Sequence, residues 1–150
     1  MNIPLIYLDN CCFNRPFDNH TDDVIRLESD AVLTIIEHCR SRRWNLCGSA
    51  VLDDEMENNQ DIVKRVKILY LYQTVSVHIA LNKYIVARAE KFQQEGISVY
   101  DALHWASAEY AEAAVLLTTD KKFILRAKKV SRTVPVVNPV LWLMENFYEQ

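Results

Sequence analysis

The sequence predicts an α/β fold of three layers, α/β/α, in which helices cover both faces of a central, mostly parallel sheet. Short runs of consecutive apolar residues, such as 3–8 and 115–117, are typical of strands buried on both faces. These runs alternate with longer segments of helical periodicity, which is the pattern of parallel α/β proteins. The chain has 150 residues with only 2 glycines and 4 prolines, so we expect one domain over residues 1–150.

Strand and helix signals follow one another along the chain. Strands are predicted at residues 3–8, 44–47, 115–117 and 134–137, and the β-branched segment 74–81 is a candidate for a further one. Residues 10–20, which mix Asn, Arg, Pro and Asp, are expected to form a loop. Thr21 is the predicted N-cap of the first helix, which has acidic residues in its first turn and a basic cluster at 40–43 at its end.

The remaining helices are predicted from apolar periodicity and capping residues. Helices are expected at residues 50–59, 61–73, 121–129 and 140–148. Asn82 should cap a helix that ends at Gly96, because glycine is favoured just past a helix C-terminus. Asp101 should open an alanine-rich helix that reaches about residue 113.

Composition restricts the classes of function. The formal net charge is -3, so the chain as a whole has no basic field that would hold nucleic acid. A polyanionic substrate would need divalent metal and a local basic patch. The four cysteines contain no CxxC pair, which disfavours a zinc site and favours reduced thiols. Without a signal-peptide pattern or an apolar run of about 18 residues, we expect a cytoplasmic protein with no membrane contact.

Four acidic residues fall where an open α/β sheet binds its ligands, beyond the carboxyl ends of the strands. Asp9 directly follows the first strand, and Asp120 follows the predicted strand at 115–117. Asp101 and Glu55 lie near the starts of helices that run back from this edge. Carboxylates that converge raise one another's pKa, so such a site is typical of a hard cation with oxygen ligands, Mg²⁺ or Mn²⁺. Such an ion activates water and stabilises a phosphoryl transition state.

Each acid also has a purely structural interpretation. Asp101 and Asp120 are good N-caps for the helices that follow them. Glu55 lies in an acidic run with Asp53 and Asp54, and most acids on a helix are simply solvated. Asp9 is harder to explain in this way, because an acid directly after a buried strand is costly to desolvate. Whether Asp53 or Asp54 takes the place of Glu55 depends on helix register and stays open.

At these same residues the chain resembles the PIN domain family over most of its length. The resemblance is carried by IYLDN ending on Asp9, SAVLDDE with Glu55, DALHWASA beginning at Asp101, LLTTD ending on Asp120, and the final VPVVNP. Each motif alone is weak, but all of them occur in the family's order and at similar spacing. PIN domains are typically Mg²⁺- or Mn²⁺-dependent ribonucleases, and many small ones are VapC-type toxins of toxin–antitoxin pairs.

The resemblance implies roles for individual residues. Asp9, Glu55 and Asp101 would be the main metal-binding and catalytic carboxylates, with Asp120 as a fourth, more loosely held acid. Thr118, two residues before Asp120, would orient a ligand or water. The other implied supporting residue is Asn10, which directly follows the first aspartate and would hydrogen-bond Asp9 or a water.

Several polar residues are candidates for substrate contacts. Asn14 and Arg15 belong to the segment 10–20, which is longer than in typical members of the family. Lys121 and Lys122 begin the basic helix after Asp120, where contacts to backbone phosphates are the alternative to simple solvation. His104 lies one helical turn after Asp101 and can reach the site, although a buried structural histidine is the expected role.

The leading hypothesis is a metal-dependent endoribonuclease that leaves 5′-phosphate and 3′-hydroxyl ends, as the resemblance implies. The same resemblance implies RNA as substrate, a small antitoxin as partner and a homodimer. The alternative is a catalytically silent PIN fold that serves as a nucleic-acid-binding or assembly module, against which the presence of all four acids argues. A phosphatase with an aspartyl-phosphate is disfavoured, because Cys11 stands where that chemistry needs a second acid.

Overall fold

A computed structural model describes residues 3–130 and 133–147, which form a five-stranded sheet and eight α-helices. The strands are β1 (Leu5–Leu8), β2 (Asn45–Ser49), β3 (Val77–Ile79), β4 (Val115–Leu117) and β5 (Val136–Val137). The helices are α1 (Asn10–Asn14), α2 (Asp23–Arg40), α3 (Ala50–Glu57), α4 (Ile62–Tyr72), α5 (Lys83–Gln94), α6 (Val99–Tyr110), α7 (Lys121–Ala127) and α8 (Pro139–Phe147). The sheet order is β3-β2-β1-β4-β5, and every neighbouring pair is parallel.

Helices cover both faces of this sheet. Ile6, Tyr7 and Leu8 of β1 are each 0% exposed, although successive residues of a strand point to opposite faces. Helix α2 packs against β2 and α8, whereas α6 packs against α5, β2 and β4. The predicted three-layer α/β class is therefore confirmed, with a sheet that is wholly parallel among the described strands.

The strand order creates a crevice at the centre of the sheet. From β1 the chain first builds β2 and β3 on one side and then β4 and β5 on the other. The carboxyl ends of β1 and β4 lie together, since the backbone N–H of Asp9 donates to the carbonyl of Leu117 at 2.9 Å. Open α/β sheets bind ligands at such a reversal of strand order.

The prediction of a loop over residues 10–20 is wrong at its start. Asn10–Asn14 form α1, and a 3₁₀ turn follows at Arg15–Phe17. Asp9 caps α1 by accepting the backbone N–H of Asn10, and Cys12 and Phe13 are fully buried. The polar composition of this segment concealed a short helix that is held by one cap and two buried side chains.

Several boundaries differ from those predicted. The third strand is only Val77–Ile79, as fits a strand at the sheet edge. The N-cap of α2 is Asp22 rather than Thr21, because the Asp22 carboxylate accepts two backbone N–H groups. Helix α6 begins at Val99, after Ser98, so Asp101 lies in its first turn and does not open it.

Other capping predictions are confirmed. Asn82 caps α5, and Gly96, which follows that helix, has a positive φ of 96°. The predicted terminal helix over 140–148 is observed as Pro139–Phe147, and Tyr148 lies outside the described residues. Across residues 3–130 and 133–147, no helix combines the length and apolarity needed to span a bilayer.

Glu109 provides a test of fold stability away from the crevice of the sheet. Burial alone would raise its pKa, but hydrogen bonds from Arg88 and Thr133, at 2.7 and 2.8 Å, outweigh burial and lower that pKa. Folding therefore favours the ionised carboxylate. Glu109→Gln weakens these charged hydrogen bonds and should lower the free energy of unfolding at neutral pH. The loss should be only about 1–2 kcal/mol, because Arg88 is partly exposed and solvent screens its charge.

The difference between Glu109→Gln and the parent chain should shrink in acid. A carboxyl group with a lowered pKa stabilises the fold above its unfolded pKa of about 4.3 and ceases to do so as the pH falls through the folded value. Urea unfolding at several pH values measures this difference. A difference that stays constant from neutral pH down to the acid range would contradict the assignment.

Candidate functional site

A cleft of ≈ 430 Å³ lies at the crevice between β1 and β4. The four carboxylates singled out in the sequence all line it: Asp9, Glu55, Asp101 and Asp120. They come from the end of β1, from α3, from the first turn of α6 and from the N-cap of α7. The remaining lining residues are Asn10, Cys11, Asn14, Arg15, Asp18 and Lys64.

Asp9 is the most rigidly held of these acids and is only 6% exposed. Its Oδ1 accepts the backbone N–H of Asn10 at 2.7 Å, and its Oδ2 accepts the Thr118 hydroxyl at 2.7 Å. Thr118 is fully buried, and its Oγ1 also accepts the backbone N–H of Asp120 at 3.1 Å. Thr118 thus links the two acids that follow β1 and β4.

The register of α3 places Glu55, rather than its acidic neighbours, in the cleft. Asp53 accepts a hydrogen bond from Tyr72 at 2.7 Å and pairs with His78 at 2.8 Å. Asp54 accepts the hydroxyl of Tyr100 at 2.9 Å. Of these three neighbouring acids, only Glu55 lines the cleft.

His104 is a fully buried member of the site that the sequence only suggested. Its Nε2 contacts Oε1 of Glu55 and lies 3.5 Å from Oδ1 of Asp9. One ligand atom from each of Asp9, Glu55 and His104 lies within 4.8 Å of the others. Burial alone would lower the pKa of His104, but the contact with Glu55 and the charge of Asp9 raise it overall. Its spacing of three residues from Asp101 was the available signal.

The other two acids are held differently. Burial, and then the charge of Asp9, raises the pKa of Asp101 to about 6, against a lowering effect of the Ser98 hydroxyl at 2.9 Å. Asp120 is exposed and caps α7 by accepting the backbone N–H groups of Lys122 and Phe123 at 2.9 and 3.2 Å. Capping and a position in the cleft therefore coexist at Asp120.

The candidate substrate-binding residues divide between two clefts. Asn14 and Arg15 line the cleft of the four acids, with the Asn14 amide donating to the carbonyl of Asn10 at 2.8 Å. Lys122 lines an adjoining cleft that shares Asp101 and Asp120. Lys121 is exposed at the start of α7 and lines neither cleft.

An ion-pair cluster among the residues that line the cleft was not predicted. Arg15 pairs with Asp18 at 3.0 Å and with Glu28 at 2.8 Å. Lys64, from α4, pairs with the same Asp18 at 2.7 Å. The sequence holds no signal for this contact, because 46 residues separate Lys64 from Asp18.

Asn10 brings an unpaired oxygen to the same cleft. Its Oδ1 is buried and has no hydrogen-bond partner in the described part of the chain. An unpaired buried amide oxygen is costly unless a ligand or water satisfies it. The predicted hydrogen bond to Asp9 is made by the Asn10 backbone and not by its side chain.

Comparisons with known proteins show a likeness of fold. No family model matches the chain, and no curated protein matches it either. A chain in the crystal structure of VapBC2 from Rickettsia felis, bound to a DNA fragment from their promoter, superposes with a TM-score of 0.62 at 15% identity, covering 89% of this chain and 98% of that one. A chain of VapBC-1 from nontypeable Haemophilus influenzae gives 0.58 at 17% identity, covering 90% and 98%. The chain therefore has the fold of these VapBC chains, and the PIN-like architecture implied by the sequence resemblance is confirmed.

Proposed function

We propose that the protein is a metal-dependent endoribonuclease that hydrolyses RNA phosphodiester bonds. The observation that carries this proposal is the meeting of Asp9, Glu55, Asp101 and Asp120 in one cleft at the sheet crevice. Capping accounts for the positions of Asp9 and Asp120, but it does not account for Glu55 and Asp101 in the same cleft. The sequence resemblance to PIN ribonucleases supports the same activity, and the chain has the fold of chains in VapBC structures.

The residues fit a hard divalent cation. Asp9 and Glu55 offer carboxylate oxygens near the imidazole nitrogen of His104, and Asn10 adds a buried, unpaired oxygen. Burial, and after it the charge of Asp9, raises the pKa of Asp101, and a bound cation would favour the ionised carboxylate against both effects. Asp9, Glu55 and Asp101 would hold Mg²⁺ or Mn²⁺, with Asp120 at the periphery. When bound, such an ion activates a water and offsets the charge that develops on the phosphate.

The chain's own residues orient and bind the substrate. The backbone of Asn10 and the hydroxyl of Thr118 fix both oxygens of Asp9. In the same cleft, Arg15 and Lys64 are both paired with Asp18, and their remaining N–H groups can contact RNA phosphates. Lys122 extends this contact beyond Asp101 and Asp120. These basic side chains are the proposed contacts to the phosphate backbone in a protein whose net charge is -3.

Cleavage of an end-labelled pool of structured RNAs tests the proposal. With Mn²⁺ or Mg²⁺ the protein should yield discrete fragments with 5′-phosphate and 3′-hydroxyl ends, and EDTA should abolish cleavage until excess metal is restored. Fragment ends are identified by phosphatase and ligase treatment. Failure to cleave, together with metal-free RNA binding, would favour the silent binding module instead.

We further propose a small antitoxin as partner and a homodimer as the assembly. Helix α4 carries exposed apolar side chains that a single chain leaves uncovered, namely Ile62, Val63, Val66, Leu69 and Tyr70. Light scattering should give twice the 17.5 kDa mass of one chain. The product of an adjacent small reading frame should co-purify with the protein and inhibit its RNA cleavage. A monomer in light scattering would refute the homodimer. A complex with the small partner that still cleaves RNA would refute the antitoxin.

A further inference from the structure

A buried chain of polar side chains connects Glu55 to the start of its own helix. Nε2 of His104 contacts Oε1 of Glu55, and Nδ1 of the same ring lies 2.5 Å from the hydroxyl of Tyr7. That hydroxyl lies 2.7 Å from Oγ of Ser49. Ser49 is the N-cap of α3, where its Oγ accepts the backbone N–H of Leu52 at 3.1 Å.

This series of hydrogen-bonded side chains connects three elements of the fold, and its members are fully buried. His104 lies on α6, Tyr7 on the central strand β1 and Ser49 at the end of β2, and each is 0% exposed. Buried polar groups are costly unless they are hydrogen-bonded, and each of these three has a partner in the network. The network ends on a carboxylate of the cleft, so it connects buried positions to the site.

Glu55 is the cleft acid that most needs external support. Its side chain is 23% exposed and is longer than that of Asp9, so it has more rotamers to lose when it is fixed. Asp9 is fixed on both oxygens by its own neighbours, but the contact with His104 is the hydrogen bond that holds Glu55 within the described residues. Tyr7, in turn, fixes which ring nitrogen of His104 faces Glu55.

We propose that His104 is a positioning residue for Glu55, and that Tyr7 and Ser49 orient its ring. This inference rests on the proposed function, because it assumes that Glu55 binds the divalent cation. His104 acts on the cation through Glu55 and is not itself a ligand: its Nε2 is already engaged by Glu55 and its Nδ1 by Tyr7. Hydrogen-bond partners of metal-binding groups affect metal affinity by about 10–100-fold when they are replaced.

Mn²⁺ binding, measured by calorimetry on the full-length protein, tests the role without relying on activity. His104→Asn places its amide near the Nδ1 position and loses the contact with Glu55, so Mn²⁺ affinity should fall by about 10–100-fold. His104→Gln places an amide nitrogen near the Nε2 position and should recover part of that loss. Tyr7→Phe keeps the ring and should weaken binding in the same direction but by less. Ser107→Ala, one turn further along α6, is the matched control and should bind as the parent does, since the buried Ser107 hydroxyl has no hydrogen-bond partner among the described residues.

The outcomes separate this inference from the proposed function. A parent protein that binds no Mn²⁺ would refute the proposed function and this inference with it. If His104→Asn and Tyr7→Phe bind Mn²⁺ as the parent does, the inference is overturned and the proposed function is not. The same holds if these variants lose thermal stability but keep their Mn²⁺ affinity when folded. Electron spin-echo spectroscopy of bound Mn²⁺ should show no directly coordinated imidazole nitrogen. A histidine nitrogen signal that disappears in His104→Gln would instead make His104 a ligand and overturn the positioning role.

Discussion

Asp9→Asn is expected to reduce RNA cleavage by at least about 10³-fold, which corresponds to about 4 kcal/mol of lost transition-state stabilisation. Asp9 is the most buried of the four acids, and both of its oxygens are oriented by other groups. Asparagine keeps the shape of the side chain but removes the negative charge that a divalent cation requires. Single-turnover cleavage at saturating Mn²⁺ measures the effect.

The matched control is Asp53→Asn, which removes a negative charge from a neighbouring element without touching the cleft. Asp53 lies on α3 two residues before Glu55, but it pairs with His78 and Tyr72. Its variant should retain cleavage within a few-fold of the parent. Equal losses in both variants would show that net charge, rather than the cleft carboxylate, determines the rate.

The effect of Asp9→Asn on stability must be measured separately from its effect on cleavage. The carboxylate of Asp9 caps α1 and accepts the hydroxyl of Thr118, so its loss should also cost about 1 kcal/mol of folding free energy. Such a loss leaves a stable domain essentially folded. A rate that is restored at lower temperature would contradict a direct role for Asp9.

The strands and helices were largely predictable because their signals are local. Residues 115–117 form a strand just as predicted, since a short run of consecutive apolar residues is typical of a strand that is buried on both faces. Asp9 and Asp120 could be placed at one edge because parallel strands end together. The sequence thus predicted which acids lie near the crevice, and their roles there stay a prediction.

What escaped prediction depends on contacts between distant parts of the chain. Tyr7 and His104 are 97 residues apart, and nothing in an apolar strand indicates that its tyrosine bonds a histidine of α6. Lys64 reaches the cleft only because α4 packs beside α1. The short helix α1 was missed because one cap and two buried residues, rather than a periodic pattern, hold it. Local periodicity carries no information on such pairings.

Glu28→Ala should lower the free energy of unfolding by about 3 kcal/mol, because it breaks a buried ion pair and leaves the Asn138 amide without its acceptor. Glu28 is 3% exposed, accepts Nε of Arg15 at 2.8 Å and accepts the amide of Asn138 at 2.8 Å. Asn138 in turn accepts the backbone N–H of Val140 at the start of α8. One carboxylate therefore joins α2, the residue before α8, and Arg15 of the cleft. Urea unfolding measures the loss.

The same substitution should separate substrate binding from chemistry. Without Glu28, Arg15 keeps only Asp18 as an ion-pair partner, so KM for RNA should rise while kcat changes little. Glu37→Ala is the control on the same helix, since its pair with Arg40 is exposed at 64% and 52% and should contribute at most about 1 kcal/mol. Equal losses of stability in the two variants would mean that burial does not determine the strength of these pairs. An unchanged KM in folded Glu28→Ala would contradict a contact between Arg15 and RNA, and Lys64 would then be the remaining basic residue proposed for this contact in the cleft.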